Sequence, residues 1–490
     1  MNYSELLRLV FPEVHVTVTV LVVLALGLKK RRHAALCSSV AAVGLALAIV
    51  AVLNLPQNAI LFGGMLVITP LTSLFKITCI VLALFTVALA QSDSSTRRND
   101  AEYLAMILLG ALGLMLLVGS EELLMIFIGL ELTGLSLYVL TAFDKTDHRS
   151  AEAGLKYFLF GSTASAFTLF GLSFIYGMTG TTGLAAIAQK LSAGPMQPLL
   201  AAGVVMTLIG FAFKIAAAPF HLWAPDTYQA APIPSAAFIA SGSKVASFVV
   251  LGKIVLVGFA PLQGSAAWHG MLAGWAPVLA GLAALSIVIG NLVALVQTNV
   301  RRLLAYSAVA HAGYTLLGLI AGGREGFSAT LFYTTTYAAT LVGAFGVVAL
   351  VRRGAGGDDL QNFSGLSARS PLLAGCMAIF LLSLAGLPPL AGFFGKFYLF
   401  SAALGAGENH GLLWLVALAL LGSLISLYYY LIILKVIFAG ESAAVDTPGA
   451  SRLLNTDPVS RLSLTLLAAL VLFLGLVPGA LVTRILASLP

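Results

Sequence analysis

An all-α, polytopic membrane protein is the fold class this sequence predicts, and three observations predict it. Of its 490 residues, 60% are hydrophobic and only 9% are charged, where soluble chains carry about 25%. Its apolar runs last about 20 residues, the length of a membrane-crossing helix, and do not alternate as barrel strands do. Lipid offers no partners to a bare backbone, so each run must satisfy its own hydrogen bonds as a helix.

Fourteen spans can be drawn in order: residues 12–28, 34–53, 71–90, 101–118, 122–142, 151–176, 198–218, 232–258, 271–295, 302–321, 327–350, 372–400, 411–438 and 461–486. The first reads as a retained span and not a signal peptide, because its basic cluster, Lys29 to Arg32, follows the apolar run. Loops after odd-numbered spans hold 16 of the 26 Lys and Arg residues, from Lys29 to Arg461. Loops after even-numbered spans hold Lys190 and Arg324, and the termini add Arg8 and Arg484. The positive-inside rule therefore puts the odd loops in the cytoplasm and both termini outside. A miscounted span would scramble that asymmetry.

No loop is long enough for a soluble domain. Residues 352–371 and 440–460 are Gly-, Ser- and Asp-rich connectors. The chain reads as one membrane domain, 1–490, with spans 1–3 in residues 1–100, a five-span unit in 101–260, a second in 261–440 and a last span in 441–490. The net charge of +7 resides in loops beside helix ends, so it indicates orientation and no nucleic-acid partner. Cys37, Cys79 and Cys376 are far apart in apolar surroundings, and no metal, iron–sulfur or haem-attachment spacing appears.

Two spans carry their own interruption. Span 7 reads "GFAFKIAAAPFHLWAPDTYQAAP", and span 12 reads "LLSLAGLPPLAGFFGKFYLF". Proline removes a helix donor and clashes with the turn before it. In a membrane such breaks persist where they line a cavity or pack on protein. Matching broken helices in two halves are the mark of inverted repeats. Spans 7 and 12 are five apart, an odd number, so units 4–8 and 9–13 would have opposite topology.

Six lysines sit inside spans away from the cytoplasmic loops, Lys76, Lys156, Lys214, Lys244, Lys253 and Lys396, whereas Lys435, at the end of span 13, counts with the loop that follows. A charge at the bilayer centre costs about 2.5–3.5 kcal/mol on the insertion scale, and such charges usually line ion or proton routes. Glu131 lies mid-span in "LLMIFIGLELTGLSLYVL"; a carboxylate merely capped by hydroxyls is the plainer reading, a mobile proton the functional one. Its natural partner is Lys214, beside the first break. Lys244 lies among Ser241, Gly242, Ser243 and Ser247, small residues that let helices and water approach. Lys396 follows the second break. Lys76 and Lys253 lie near outer ends and read as snorkelling side chains. Lys156, one to two turns inside span 6, fits snorkelling or a relay equally. His311, in "AYSAVAHAGY", is either a satisfied core histidine or a proton exchanger near neutral pH. Asp226 and His221, in the first break, read as an uptake vestibule or as a polar loop. No phosphate loop and no nucleophilic triad appears, so the visible chemistry is proton transfer.

These stretches together resemble the antiporter-like membrane subunits of proton-pumping NADH:quinone oxidoreductase, respiratory complex I. The resemblance rests on "KIAAAPFHLWAPDTYQAAP", "QTNVRRLLAYSAVAHAGY", "LAGLPPLAGFFGKFYLF" and "SLYYYLIIL", and covers essentially the whole chain. It implies fourteen helices with inverted repeats 4–8 and 9–13, and a line from the Glu131–Lys214 pair through Lys244 to Lys396. Lys396, where the M type of the family has a glutamate, points with Tyr428 to Tyr430 to the N type. The resemblance further implies a bacterial inner-membrane location, other membrane subunits of the complex as partners, and no cofactor in this chain. Flavin, iron–sulfur clusters and quinone would belong to partner subunits. A sodium/proton antiporter subunit is the alternative within the family. A solitary solute transporter and a passive scaffold are the alternatives outside it.

Overall fold

The computed structural model describes residues 3–28, 34–91, 99–192, 197–406, 410–440 and 457–489. Lys29 to Arg32, Arg97, Arg98, Arg452 and most of the 440–460 connector lie outside the described residues. Helix α1 (Tyr3–Leu9) is bent by 73° against α2 (Phe11–Gly27). There follow α3 (Ala34–Leu53), α4 (Pro70–Ala90), α5 (Asp100–Val118), α6 (Leu123–Thr141), α7 (His148–Thr179) and the short α8 (Leu184–Leu191). Next come α9 (Pro198–Lys214), α10 (Trp223–Ala230), α11 (Ile233–Phe238) and α12 (Lys244–Lys253). The second half runs through α13 (Trp275–Ala294), α14 (Val300–Ala321), α15 (Gly323–Ala355), α16 (Leu366–Arg369), α17 (Pro371–Ala385), α18 (Ala391–Gly405) and α19 (Leu413–Ala439), and α20 (Pro458–Leu476) and α21 (Gly479–Ser488) close the chain. Eleven described helices are long and apolar enough to cross a membrane, twelve if α1 and α2 count as one bent span.

The helices sort into an inner and an outer set. α14, α15 and the 233–258 segment are almost wholly buried. α3, α7, α13, α19 and α20 turn one apolar face outward, with Leu47, Leu155, Phe170, Leu285, Leu424 and Leu466 exposed. A water-soluble chain would not tolerate so much exposed hydrocarbon; a bilayer accepts it.

Both expected breaks are present. α9 stops at Lys214, and Ala216 takes φ 56°, a left-handed value that a residue with a Cβ rarely adopts. The freed backbone finds partners: Ala218 N donates to Ser286 Oγ on α13 at 2.8 Å, and Trp223 Nε1 donates to Phe213 O at 3.0 Å. α17 stops at Ala385 because Gly386, at φ 86°, supplies the left-handed cap that glycine adopts without steric cost. After it, Gly392 N donates to Ser383 Oγ at 3.1 Å.

Three local features depart from the expected spans. Span 14, drawn as 461–486, is not one helix: α20 ends at Leu476, and Pro478 separates it from α21. The 233–258 segment is interrupted by π turns at Ile239–Ser243 and Ile254–Gly258, so its central α stretch begins on Lys244 and ends on Lys253. Between α3 and α4 lies a hairpin, β1 (Ala59–Leu61) and β2 (Leu66–Ile68), paired antiparallel with Ala59 opposite Ile68. Val67 N donates to Gly119 O at 2.6 Å and Glu121 N to Gly64 O at 2.9 Å, so the hairpin clamps the α5–α6 turn.

Candidate functional site

Lys214 ends α9, and its ammonium reaches across to the Leu130 carbonyl of α6 at 3.4 Å and lies 5.6 Å from the Tyr138 ring centroid. Glu131, Gly134 and Tyr138 fall at positions i, i+3 and i+7, so α6 presents them on one face. Two glycines make the room: a Cβ on Gly134 would sit 2.8 Å from Lys214 Nζ, and one on Gly161 would collide with Tyr138 Oη. The expected contact ion pair is not formed. Glu131 instead accepts a hydrogen bond from Ser165 Oγ of α7, and among the described residues no carboxylate lies within 4.0 Å of Lys214. The Glu131 charge still acts on Lys214 through space.

Lys244 donates to the Ala308 carbonyl of α14 at 2.6 Å and lies 5.7 Å from the Tyr337 ring of α15. Tyr337 packs 4.8 Å from the His311 ring. His311 is held at both nitrogens: Nδ1 lies 2.6 Å from Tyr333 Oη, and Nε2 lies 3.2 Å from Tyr430 Oη. Tyr430 in turn hydrogen-bonds Ser307. The His311 and Tyr314 rings are 5.6 Å apart, and Lys396 Nζ lies 5.2 Å from the Tyr314 ring. Lys396 donates to Ser423 Oγ at 2.8 Å and to the Ala385 carbonyl at 2.9 Å. Ala385 is the last residue of α17, so the ammonium caps the negative end of the first half of the broken helix. Lys244, His311 and Lys396 are thus joined through tyrosines, and both lysine charges act on His311. Between Lys214 and Lys244 the described side chains form no direct bond.

Lys156 is elsewhere. It pairs with Glu152 at 2.7 Å and with Asp226 of α10 at 2.9 Å, at the helix rim. Asp226 also pairs with Arg302 of α14 at 2.7 Å. Burial alone would raise the Asp226 carboxyl, but the Lys156 and Arg302 bonds hold it below the ordinary carboxylate value. Beside it, His221 Nδ1, Thr227 Oγ1 and Tyr228 Oη are buried without a protein partner. Such atoms normally take water.

Lys76 and Lys253 do not snorkel. Lys76 is 1% exposed and pairs with Glu13 of α2 at 2.6 Å. Lys253 is buried against the Val118 carbonyl at 3.0 Å and pairs with Glu121 at 3.3 Å. Each partner sits more than sixty positions away in sequence, so the depth of a lysine in its own span did not reveal it.

Residues 120–426, α6 through most of α19, match the family described as NADH:quinone oxidoreductase/Mrp antiporter, TM. The whole chain is similar to NADH-quinone oxidoreductase subunit N 2 of Acidobacterium capsulatum, 46% identical over 98% of both chains. The chain belongs to this family. Its fold is also that of a chain of respiratory complex I from Thermus thermophilus, with 33% identity, a TM-score of 0.78 and coverage of 96% of this chain and 98% of the other. A chain of the Mrp complex from Dietzia sp. DQ12-45-1b shares the fold at a TM-score of 0.81 over 98% and 97%, with 21% identity. All six expected residues, Glu131, Lys156, Lys214, Lys244, His311 and Lys396, fall inside the segment that defines the NADH:quinone oxidoreductase/Mrp antiporter family. What sequence reasoning missed is the tyrosine set, Tyr138, Tyr314, Tyr333, Tyr337 and Tyr430. Tyrosines in apolar helices read as core; the signal that sets these apart is that each faces a buried cation or histidine.

Proposed function

We propose that this member of the family is the N-type proton-translocating membrane subunit of a bacterial NADH:quinone oxidoreductase. Protons move along Glu131, Lys214, Lys244, His311 and Lys396, driven by quinone reduction in other subunits. The observation that carries the reading is the packed row Lys244, Tyr337, His311, Tyr314 and Lys396, whose ring contacts of 4.8–5.7 Å join the two broken-helix halves; water would carry the proton between these groups, and the Tyr337 hydroxyl, without a protein partner, is open to one. Counting α9 as one span and α17 with α18 as another brings the total to fourteen. Units 4–8 and 9–13 then form inverted repeats with one break each. The face bearing Lys145, Asp226 and Arg302 is cytoplasmic, with both termini at the outer side. The unpartnered atoms around His221, Thr227 and Tyr228 suit water-borne uptake toward Lys214, with Lys156 and Arg302 holding Asp226 ionised at the mouth.

The subunit itself does no redox chemistry. Flavin, iron–sulfur clusters and quinone belong to its partners, and its own contacts are lipid, protons and neighbouring membrane subunits. His311→Phe in the assembled complex tests the line. The ring keeps its stacking but loses both nitrogens, so proton pumping should fall and quinone reductase activity with it. Parental pumping in that variant would remove His311 from the path. Sodium-dependent pumping would support the sodium/proton antiporter reading; the buried ammoniums argue against it, because an ammonium cannot ligate a cation.

A further inference from the structure

A cavity of about 570 Å³ lies where α2 begins and α3 ends, beside the bent helix α1. That volume falls in the range of small-ligand sites. Its walls are apolar: Leu7 of α1, Phe11 of α2, and Leu47 and Val50 of α3 line it. All four are about half exposed, so the cavity is a groove open sideways to the bilayer. Leu47 is seven residues deeper along the chain than Asn54, another lining residue, so the groove follows α3 for about 10 Å.

The end of the groove is polar and carries one sign of charge. Ser4, Arg8, His15 and Asn54 line it, and no carboxylate does. Among the described residues Arg8 has no ion-pair or hydrogen-bond partner. The carboxylates near it in sequence do not neutralise it. Glu13 is buried and pairs with Lys76 at 2.6 Å, and no ion pair joins Glu5 to Arg8 among the described residues. His15 Nε2 is buried and also lacks a protein partner. A buried polar atom left unbonded is costly unless a ligand supplies the bond. α1 turns 73° away from α2 and exposes Tyr3 and Leu7, the posture of a short helix lying in the membrane–water boundary. A guanidinium at that boundary above an apolar groove matches a phosphodiester with a hydrocarbon tail. The lining offers nothing to receive a head-group ammonium, whereas Ser4 and Asn54 can bond hydroxyls.

We propose that this groove binds an anionic phospholipid with a hydroxylated head group, of the phosphatidylglycerol class. The phosphate lies between Arg8 and His15, the head-group hydroxyls face Ser4 and Asn54, and one acyl chain follows Phe11, Val50 and Leu47 into the bilayer. The bound lipid holds α1 against the end of α3. The site stands apart from the buried lysine line and does not depend on it.

The test uses the assembled complex in phosphatidylcholine vesicles doped with phosphatidylglycerol that carries a photoactivatable diazirine on one acyl chain. Expected is cross-linking to the 47–54 stretch of α3, displaced by unlabelled phosphatidylglycerol and not by inorganic phosphate. A phosphatidylcholine with the same diazirine should label that stretch only weakly. Arg8→Gln should lower the affinity, read from labelling against lipid mole fraction, about tenfold, the scale of one lost charge-assisted hydrogen bond. Ala51, also in the lining, gives a second variant. Ala51→Phe fills the groove while leaving Arg8 and His15 in place, and it should abolish the labelling even where Arg8→Gln disturbs assembly. Undiminished labelling in both variants, or equal labelling by phosphatidylcholine, overturns the site. Displacement by inorganic phosphate would reduce it to an anion site and overturn the lipid. Absence of cross-links on α3, the result if a neighbouring subunit fills the groove, overturns it as well.

Discussion

Lys214 is positioned by what its neighbours lack. Gly134 and Gly161 leave the space that its ammonium and the Tyr138 hydroxyl occupy, and Tyr138 Oη is buried without a protein partner. The ammonium therefore has one carbonyl bond at 3.4 Å, an aromatic face at 5.6 Å and the field of Glu131, a setting that suits the proton carrier proposed above. Lys214→Ala should lower pumping-coupled quinone reductase activity by about a hundredfold or more, the scale of a lost proton-transfer group. Lys214→Arg should rescue poorly, since a guanidinium does not give up its proton in proteins. Full pumping in the Arg variant, measured by proton uptake in vesicles, would end the titrating role. Sequence marked Lys214, Lys244 and Lys396 because a mid-span cation stands out against hydrocarbon. It did not place Glu131 against Ser165, because a hydrogen bond between α6 and α7 depends on helix rotation, which an evenly apolar span leaves undefined.

At the scale of elements, the breaks were legible and their anchoring was not. Pro219, Pro388 and Pro389 announce the breaks, while Pro225 falls in the first turn of α10, where a helix tolerates it; nothing in the sequence says that Ser286, on α13, satisfies the Ala218 amide. Likewise the π turns around α12 leave no proline or glycine pair to announce them; Ile239–Ser243 and Ile254–Gly258 are ordinary apolar and small residues. The short α10 is tied down by Asp226, which bonds Lys156 on α7 and Arg302 on α14. Those bonds depress the carboxyl, so their contribution to stability is complete above the ordinary carboxyl value and is lost as pH falls through the lower folded value. Asp226→Asn should therefore cost about 1 kcal/mol at neutral pH, the scale of a partly exposed ion pair. The difference from the parent should shrink in acid. Thermal unfolding of the purified complex across pH checks this, and equal melting temperatures at neutral pH would show that α10 is held by packing alone.

Across the whole molecule, the most buried helices, α14, α15 and the 233–258 segment, are those that carry His311, Tyr314, Tyr333, Tyr337 and Lys244. Lys396 joins them from α18, whose first turn follows the second break. The ionisable groups thus lie in the driest part of the chain, where a charge moved at one site is felt at the next more strongly than in water. A proton pumped against 100 mV stores about 2.3 kcal/mol, and the energy must reach this chain from a neighbouring subunit as a displaced charge or a moved helix. Coupling between sites is reciprocal in free energy. If quinone reduction elsewhere drives Lys396, then removing the charge on Lys396 must be felt at the quinone. Lys396→Ala also leaves the Ala385 carbonyl and Ser423 without their donor, so assembly must be checked before activity is read. In an assembled Lys396→Ala complex, quinone reductase activity should fall below the parent's and an uncoupler should not restore it, because the block lies in the charge line and not in the membrane potential. Recovery with uncoupler would confine Lys396 to the final exit step. Activity and proton stoichiometry equal to the parent's, with and without uncoupler, would leave Lys396 as a buried helix cap.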